Sequence, residues 1–307
     1  MNKIFLPLLC MMLMATSAIA QKTYEPTYFY AFGDMPYEDH QVTPYKRLVQ
    51  LINDTNPAFS IHVGDTKSGH SYCSDEFYAE NLKHLNQFKQ PLLYTPGDNE
   101  WTDCDREDCG SYNATERLNF LRKTLFMNPS ESFGINRIPV ISQSSYPSYG
   151  QYVENAMWVH KDILFSTVHI CGSSNNYLEE GDNSEFIERE AADLFWLKTI
   201  FEKAQTDNVR GVVLAFHANV FNNQNNIGYK RLLEELRKLI FEFGKPVLAI
   251  YGDTHNFVIN QPLRYEGKLL KNFTALQVFG SPNIHLIKVH VDKENDDLFD
   301  IEPVYID

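Results

Sequence analysis

The chain is poor in positive charge and in long apolar runs. Its 307 residues carry 27 lysines and arginines against 40 aspartates and glutamates, a formal net charge of −13. That balance leaves no basic stripe for nucleic acid or anionic lipid, because attracting a polyanion at long range needs a field of the opposite sign. An anionic small molecule would need a local cation to reverse the field. Beyond residue 20 no apolar run approaches the length of a membrane-spanning helix, so no membrane anchor is expected. Low-complexity segments and a Pro- or Gly-rich linker are missing too, which favours one domain. The sequence contains no G-x-S-x-G nucleophile elbow and no D-x-D-x-T aspartyl-phosphate motif. Its cysteines lack the second pair, or the companion histidine pair, of a zinc knuckle.

The first twenty residues read as a secretory signal. Lys3 supplies the positive end, "IFLPLLCMMLM" the apolar stretch, and Ala18-Ile19-Ala20 a small-residue cleavage site before Gln21. The expected product is an exported protein, periplasmic or extracellular, spanning residues 21–307; losing Lys3 takes the net charge from −13 to −14. Four cysteines then remain: Cys73, Cys104, Cys109 and Cys171. An even count in an oxidising compartment favours disulfides. Cys73 and Cys104 each follow a Gly-Asp pair by a few residues, so a bridge between them is preferred, with a local Cys104–Cys109 bridge as the alternative. Asn53, Asn113 and Asn272 open N-x-Ser/Thr sequons, which matter only in a glycosylating source.

Hydrophobic periodicity predicts alternating strands and helices through the first third: "YFYAFG", a helix near Tyr45 to Asp54, "AFSIHVG", a helix from Ser74 to Phe88, then "PLLYTPG". A further helix is expected over Ala114 to Leu125. Short strands with a turn at "HKD" follow, then a long helix from about Ser184 to Gln205. The strand "GVVLAF", the helix "YKRLLEELRKLIFEF", the strand "PVLAIYG" and a strand-rich tail complete an α/β chain with two packed sheets and helices outside.

Four of the strands end on the same pair. Gly-Asp closes "YFYAFGD" at Asp34, "FSIHVGD" at Asp65, "PLLYTPGD" at Asp98 and "PVLAIYGD" at Asp253; His217 ends another strand, and His255 follows Asp253 by two. Ligands of open α/β sheets gather outside the carboxyl ends of the strands. A lone Gly-Asp is usually a turn or a helix cap. Four of them, with two histidines, bring together oxygen and imidazole donors that suit a divalent or trivalent metal. Glycine before each aspartate is read as permitting the sharp exit.

In that order, "FGDMP", "HVGDTK", "PGDNEW", "LAFHAN" and "YGDTHNF", spanning Tyr28 to Phe257, resemble the motifs of the calcineurin-like metallophosphoesterases. The resemblance implies a two-sheet α/β/β/α sandwich and hydrolysis of phosphate mono- or diesters of a small phosphorylated substrate through a metal-activated hydroxide. It implies one or two ions (Mn, Mg, Fe or Zn): Asp34, Asp65 and His255 at the first position, Asp65, Asp98, His217 and Asp253 at the second. Lys67 would clamp the substrate phosphate, or be a loop lysine.

The departures from the pattern are specific. Met35-Pro36 replaces a stretch in which many members carry a histidine ligand, with His40 and His70 as candidate replacements. Ser68 falls near the place of the purple acid phosphatases' tyrosine, with Tyr72 further along. Asp98 and Asp253 stand where the family has asparagine and histidine, though Asn99 one residue on is an alternative ligand. Asn99 itself takes the place of a catalytic histidine. The rival reading is a catalytically impaired relative that binds metal or anions. Asparagine donates a hydrogen bond but cannot act as an acid. Turnover is therefore expected to favour aryl phosphates or phosphoanhydrides over alkyl phosphates, and equal rates on the two would contradict this.

Overall fold

The structure is a computed structural model that describes residues 27–291 and 298–307. The expected secretory signal lies outside the described residues. Among those described, no helix is long and apolar enough to cross a membrane.

The chain alternates strand and helix as its periodicity predicts. β1 (Tyr28–Phe32), α1 (Val42–Thr55), β2 (Ser60–His62), α2 (Asp75–Leu85) and β3 (Leu92–Tyr94) come first, with β1, β2 and β3 side by side and parallel. Side chains alternate across β1: Phe29 and Ala31 face one side, Tyr30 and Phe32 the other. Ser74 caps α2 by accepting from the Phe77 amide at 3.3 Å. Asn113 caps α3 (Ala114–Leu125) in the same way.

β4 (Ile141–Ser142), β5 (Ala156–His160) and β6 (Ile163–Thr167) follow, antiparallel in that order. Lys161 and Asp162 turn the β5–β6 hairpin with φ of 51° and 61°, the left-handed geometry of a two-residue loop. The one-turn α4 (Gly172–Asn175), the long α5 (Ser184–Thr206), β7 (Gly211–Ala215), α6 (Ile227–Phe243) and β8 (Val247–Tyr251) complete the second parallel run. The tail holds β9 (Val258–Asn260), a small hairpin β10 (Arg264–Tyr265) and β11 (Lys268–Leu269), β12 (Phe273–Gln277), β13 (Leu286–Val291) and β14 (Phe299–Val304).

Two large mixed sheets result, ordered β14-β13-β1-β2-β3 and β4-β5-β6-β7-β8-β12-β9. Their facing sides form one core, where Phe29, Ala31 and Ile61 meet Phe165, Val213 and Leu248. α1, α2 and α3 cover the outer face of the first sheet through Leu48, Ile52, Leu85 and Leu121. α5 and α6 cover the second through Trp196, Ile200, Leu233 and Ile240. This is the layered α/β/β/α sandwich expected from the sequence. β14 and the β10–β11 hairpin go beyond what the periodicity predicts. Pro303 costs β14 nothing, because an edge strand has amides that need no ladder partner.

The disulfide joins Cys73 to Cys104, across 31 residues, and not Cys104 to Cys109; Cys109 and Cys171 are free and buried. It staples the loop after β2 to the loop after β3. Closing a loop of that length stabilises by about 2–4 kcal/mol through the unfolded chain. The C73A/C104A double variant should therefore lose about 2–4 kcal/mol in urea unfolding, and an unchanged midpoint would contradict this.

Candidate metal centre

The parallel strands β1, β2, β3, β7 and β8 deliver their carboxyl ends to one side of the sandwich. There Asp34, Asp65 and Asp253 adopt φ of 55°, 55° and 74°, and His255 59°. The left-handed turn thus falls mostly on the acids rather than on the glycines before them; aspartate tolerates it better than most residues. The glycines serve close approach instead. A Cβ on Gly97 would overlap the Asp65 carboxylate, and one on Gly252 would overlap that of Asp34.

His217 orients the centre. Its Nδ1–H donates to the Val63 carbonyl at 2.8 Å, which turns Nε2 toward the acids. Nε2 lies 2.9 Å from Asp98 Oδ1 and 3.5 Å from Asp65 Oδ2. Each carboxylate is held by at least one fixed donor. Asp34 Oδ1 accepts from the Asp253 amide at 2.9 Å, Asp98 Oδ2 from Ser173 Oγ at 2.8 Å, Asp65 Oδ1 from the Asn99 amide at 3.1 Å, and Asp253 Oδ2 from the Asn219 amide at 2.8 Å. Asp34 Oδ2 is buried without a hydrogen-bond partner, and Asp98 Oδ1 and His217 Nε2 are buried against each other. Donor atoms of Asp34, Asp65 and His217 lie within 4.8 Å of one another, as do those of Asp98, His217 and Asp253.

The electrostatics call for a cation. Burial pushes the Asp34 carboxyl up to about 7, although the His217 charge pulls it down. Burial likewise lifts Asp65 well above the ordinary carboxylate range and raises Asp253. At Asp98 burial is outweighed by His217 and Ser173, which hold it below that range. Burial opposes charge on His217, yet Asp65, Asp98 and Asp34 together raise its pKa well above the ordinary imidazole value. Buried carboxylates this close stay ionised only beside positive charge. The donors fit a metal ion, and most of them are oxygens.

The other expected residues lie at the rim or away from it. His255 sits with Nε2 3.7 Å from Asp34 Oδ1, outside both triads, its Nδ1–H on the Ser281 carbonyl. Asp98 faces His217, whereas the Asn99 side chain donates to the Lys67 carbonyl at 3.1 Å and to Tyr37 at 3.3 Å. Lys67 is buried, its ammonium on the carbonyls of Ser68 and Ser71 at 3.1 and 2.9 Å. In this conformation it braces its own loop and does not reach toward a substrate. His40 and His70 are exposed beside Glu38 and Asp108, so neither replaces the missing histidine, and Tyr72 is exposed as well. Trp101 is a packed residue, buried between Arg189 and His169. His62 is a core histidine held neutral, its pKa pushed down to about 3 by burial.

Three contributors escaped the sequence reading. Tyr37 puts its hydroxyl 3.0 Å from Asp65 Oδ2. Glu100, fully buried, accepts from the amides of Asp65, Thr66 and Gly97 and from Thr66 Oγ1, tying two strand exits together. Its signal in the sequence is its place directly after Gly97-Asp98-Asn99 at a strand exit. Ser173 has no local signal. It opens a run of four left-handed residues, Ser173 to Asn176, held by the buried Arg189 guanidinium on Asn175.

The architecture is that of the metallophosphoesterase fold. The chain belongs to the calcineurin-like phosphoesterase family, whose model matches residues 28–257. Similar solved structures include GAP50, the anchor in the inner membrane complex of Plasmodium, at 12% identity and TM-score 0.51, covering 91% of this chain and 89% of that one. The protein TT1561 of Thermus thermophilus shares 12% identity and TM-score 0.51, over 92% of this chain and all of that one. A dimetal phosphatase from Danio rerio shares 11% identity and TM-score 0.50, again over 92% of this chain and all of that one. At such identities the likeness is one of fold. No curated protein matches the sequence.

The raised Asp34 pKa has a measurable sign. Its folded value, about 7, exceeds the ordinary 3.8, so between these the folded state binds more protons and this group's contribution to stability falls as pH rises. D34N removes that penalty. In chelator at about pH 8 it should be more stable than the parent by on the order of 1–3 kcal/mol, with the gain vanishing toward about pH 4. Divalent metal should reverse the ranking. A D34N gain that grows toward acid would contradict the assignment.

Proposed function

We propose that this chain is an exported, metal-dependent phosphoesterase acting on phosphate mono- or diesters. The observation that carries the reading is the convergence of buried metal-ligand types, Asp34 with its unpartnered Oδ2, Asp65, Asp98, His217 and Asp253, in a chain of the calcineurin-like phosphoesterase family. The export part is supported by the N-terminal sequence and by a disulfide compatible with an oxidising compartment. A zebrafish protein of the same fold is described as a dimetal phosphatase, which is in keeping with this chemistry.

A metal bound there would supply positive charge to a phosphoryl oxygen and lower the pKa of a bound water. The chain's own residues do the rest. Asp34, Asp65, Asp98 and Asp253 are each held by a fixed donor, so their orientation is set before substrate arrives. His217 is locked in one tautomer by Val63. Asn99 offers an amide donor at the rim but no transferable proton. Because Lys67 is committed to its loop, the metal is what attracts an anionic ester into an acidic protein.

A second reading, metal binding without turnover, is favoured by Asn99, whose amide is already engaged with Lys67 and Tyr37. The experiment that separates the two is an aryl-phosphate assay on protein stripped with chelator and reloaded with Mn²⁺ or Mg²⁺. Activity should appear only after reloading, and D65N should lower kcat by roughly 100-fold or more. A chelator-insensitive rate, or none at all in metal-loaded protein, would overturn the enzymatic reading.

A further inference from the structure

We propose that this chain holds one metal ion rather than two, because the Tyr37 hydroxyl fills the space between Asp65 and His255 that a second ion would need. The inference rests on the metal-binding reading above. The Tyr37 oxygen lies 3.0 Å from Asp65 Oδ2, 3.3 Å from His255 Nε2 and 3.3 Å from Asn99 Nδ2. Asn99 donates to it, and it donates to Asp65, so the phenol is satisfied as a neutral group. An ion shared by Asp65 and His255 would have to lie about 2 Å from a donor atom of each, and the Tyr37 oxygen already stands within hydrogen-bond distance of both.

Tyr37 is held there from several sides. Its ring meets that of His255 edge to face, with centroids 5.3 Å apart. Its amide donates to Gln41 Oε1 at 2.9 Å, and Gln41 in turn donates to Ser281 Oγ at 2.8 Å. Ser281 also supplies the carbonyl that fixes His255. Tyrosine and histidine thus share one support, and displacing the hydroxyl disturbs both.

The donor count points the same way. The two triads, Asp34–Asp65–His217 and Asp98–His217–Asp253, both need His217, and its Nδ1 is spent on Val63. A single Nε2 lone pair serves one ion. Without His255, a separate ion beside Asp34 and Asp65 has no nitrogen donor of its own, whereas an ion held by Asp98, His217 and Asp253 has oxygen and nitrogen donors together.

The test is metal stoichiometry. The protein is stripped with chelator, titrated with Mn²⁺ by calorimetry, and examined after desalting by elemental analysis and electron paramagnetic resonance. The parent should take up one equivalent and give the spectrum of isolated Mn²⁺, and Y37F should retain that equivalent. Y37H, which exchanges the phenol for a smaller ligand, should take up a second equivalent and show the spin coupling of a Mn²⁺ pair. Two tight equivalents in the parent would overturn the inference whether or not Y37H folds. Loss of the metal in Y37F, or a phenolate charge-transfer band on loading Fe³⁺, would overturn it by making Tyr37 a ligand. No bound metal in the parent would overturn both this inference and the proposed function; two would overturn this inference alone.

Discussion

Crowding several carboxylates around one buried imidazole is the constraint on which the rest of this structure turns. Removed from water, Asp34, Asp65 and Asp253 resist ionisation, and their mutual repulsion would open the strand ends if nothing offset it. His217 is the one fully buried nitrogen base among them, and the Val63 carbonyl decides which nitrogen it presents. A cation is the natural complement, since it satisfies oxygens and nitrogen at once. The folded chain therefore carries its chemistry as stored electrostatic cost, which a metal relieves.

Holding that cost in place takes support from well outside the cluster. Glu100 fixes the exits of β2 and β3 with one carboxylate. The disulfide ties the loops that follow them, and Ser173, on its left-handed turn, holds the far oxygen of Asp98. Arg189 anchors that turn from α5, bonded to Asn175 and to the His169 carbonyl. Left-handed residues other than glycine are uncommon, and four in a row persist only where the surroundings over-determine them. The strain and the bracing sit around the same carboxylate, which is where a precise ligand geometry has most value.

Much of the fold could be read from the chain directly. The parallel strands announced themselves as short apolar runs ending on Gly-Asp, and α1, α2, α3, α5 and α6 as apolar stripes with recognisable ends. β14 was not, because its alternation is weak and edge strands bury little. Among site residues, the four aspartates and His217 could be read because each ends a strand, and strand ends of one sheet converge by construction. Tyr37 could not, since a tyrosine in a loop carries no period and no motif. Lys67 shows the same limit: its neighbour is a candidate ligand, but side-chain direction is set by what the loop offers, and the loop offers two carbonyls.

The sequence by itself determined the layered α/β architecture, the acidic field, and the delivery of Asp34, Asp65, Asp98, His217, Asp253 and His255 to one end of the strands. These follow from periodicity and connectivity, which are local properties of the chain. Only the tertiary structure decided which donor holds each carboxylate, which nitrogen His217 presents, and that Tyr37 stands between Asp65 and His255. Those outcomes depend on partners distant in sequence, such as Val63 for His217 and Ser173 for Asp98, and pairings across such distances exist only once the two sheets have closed on each other.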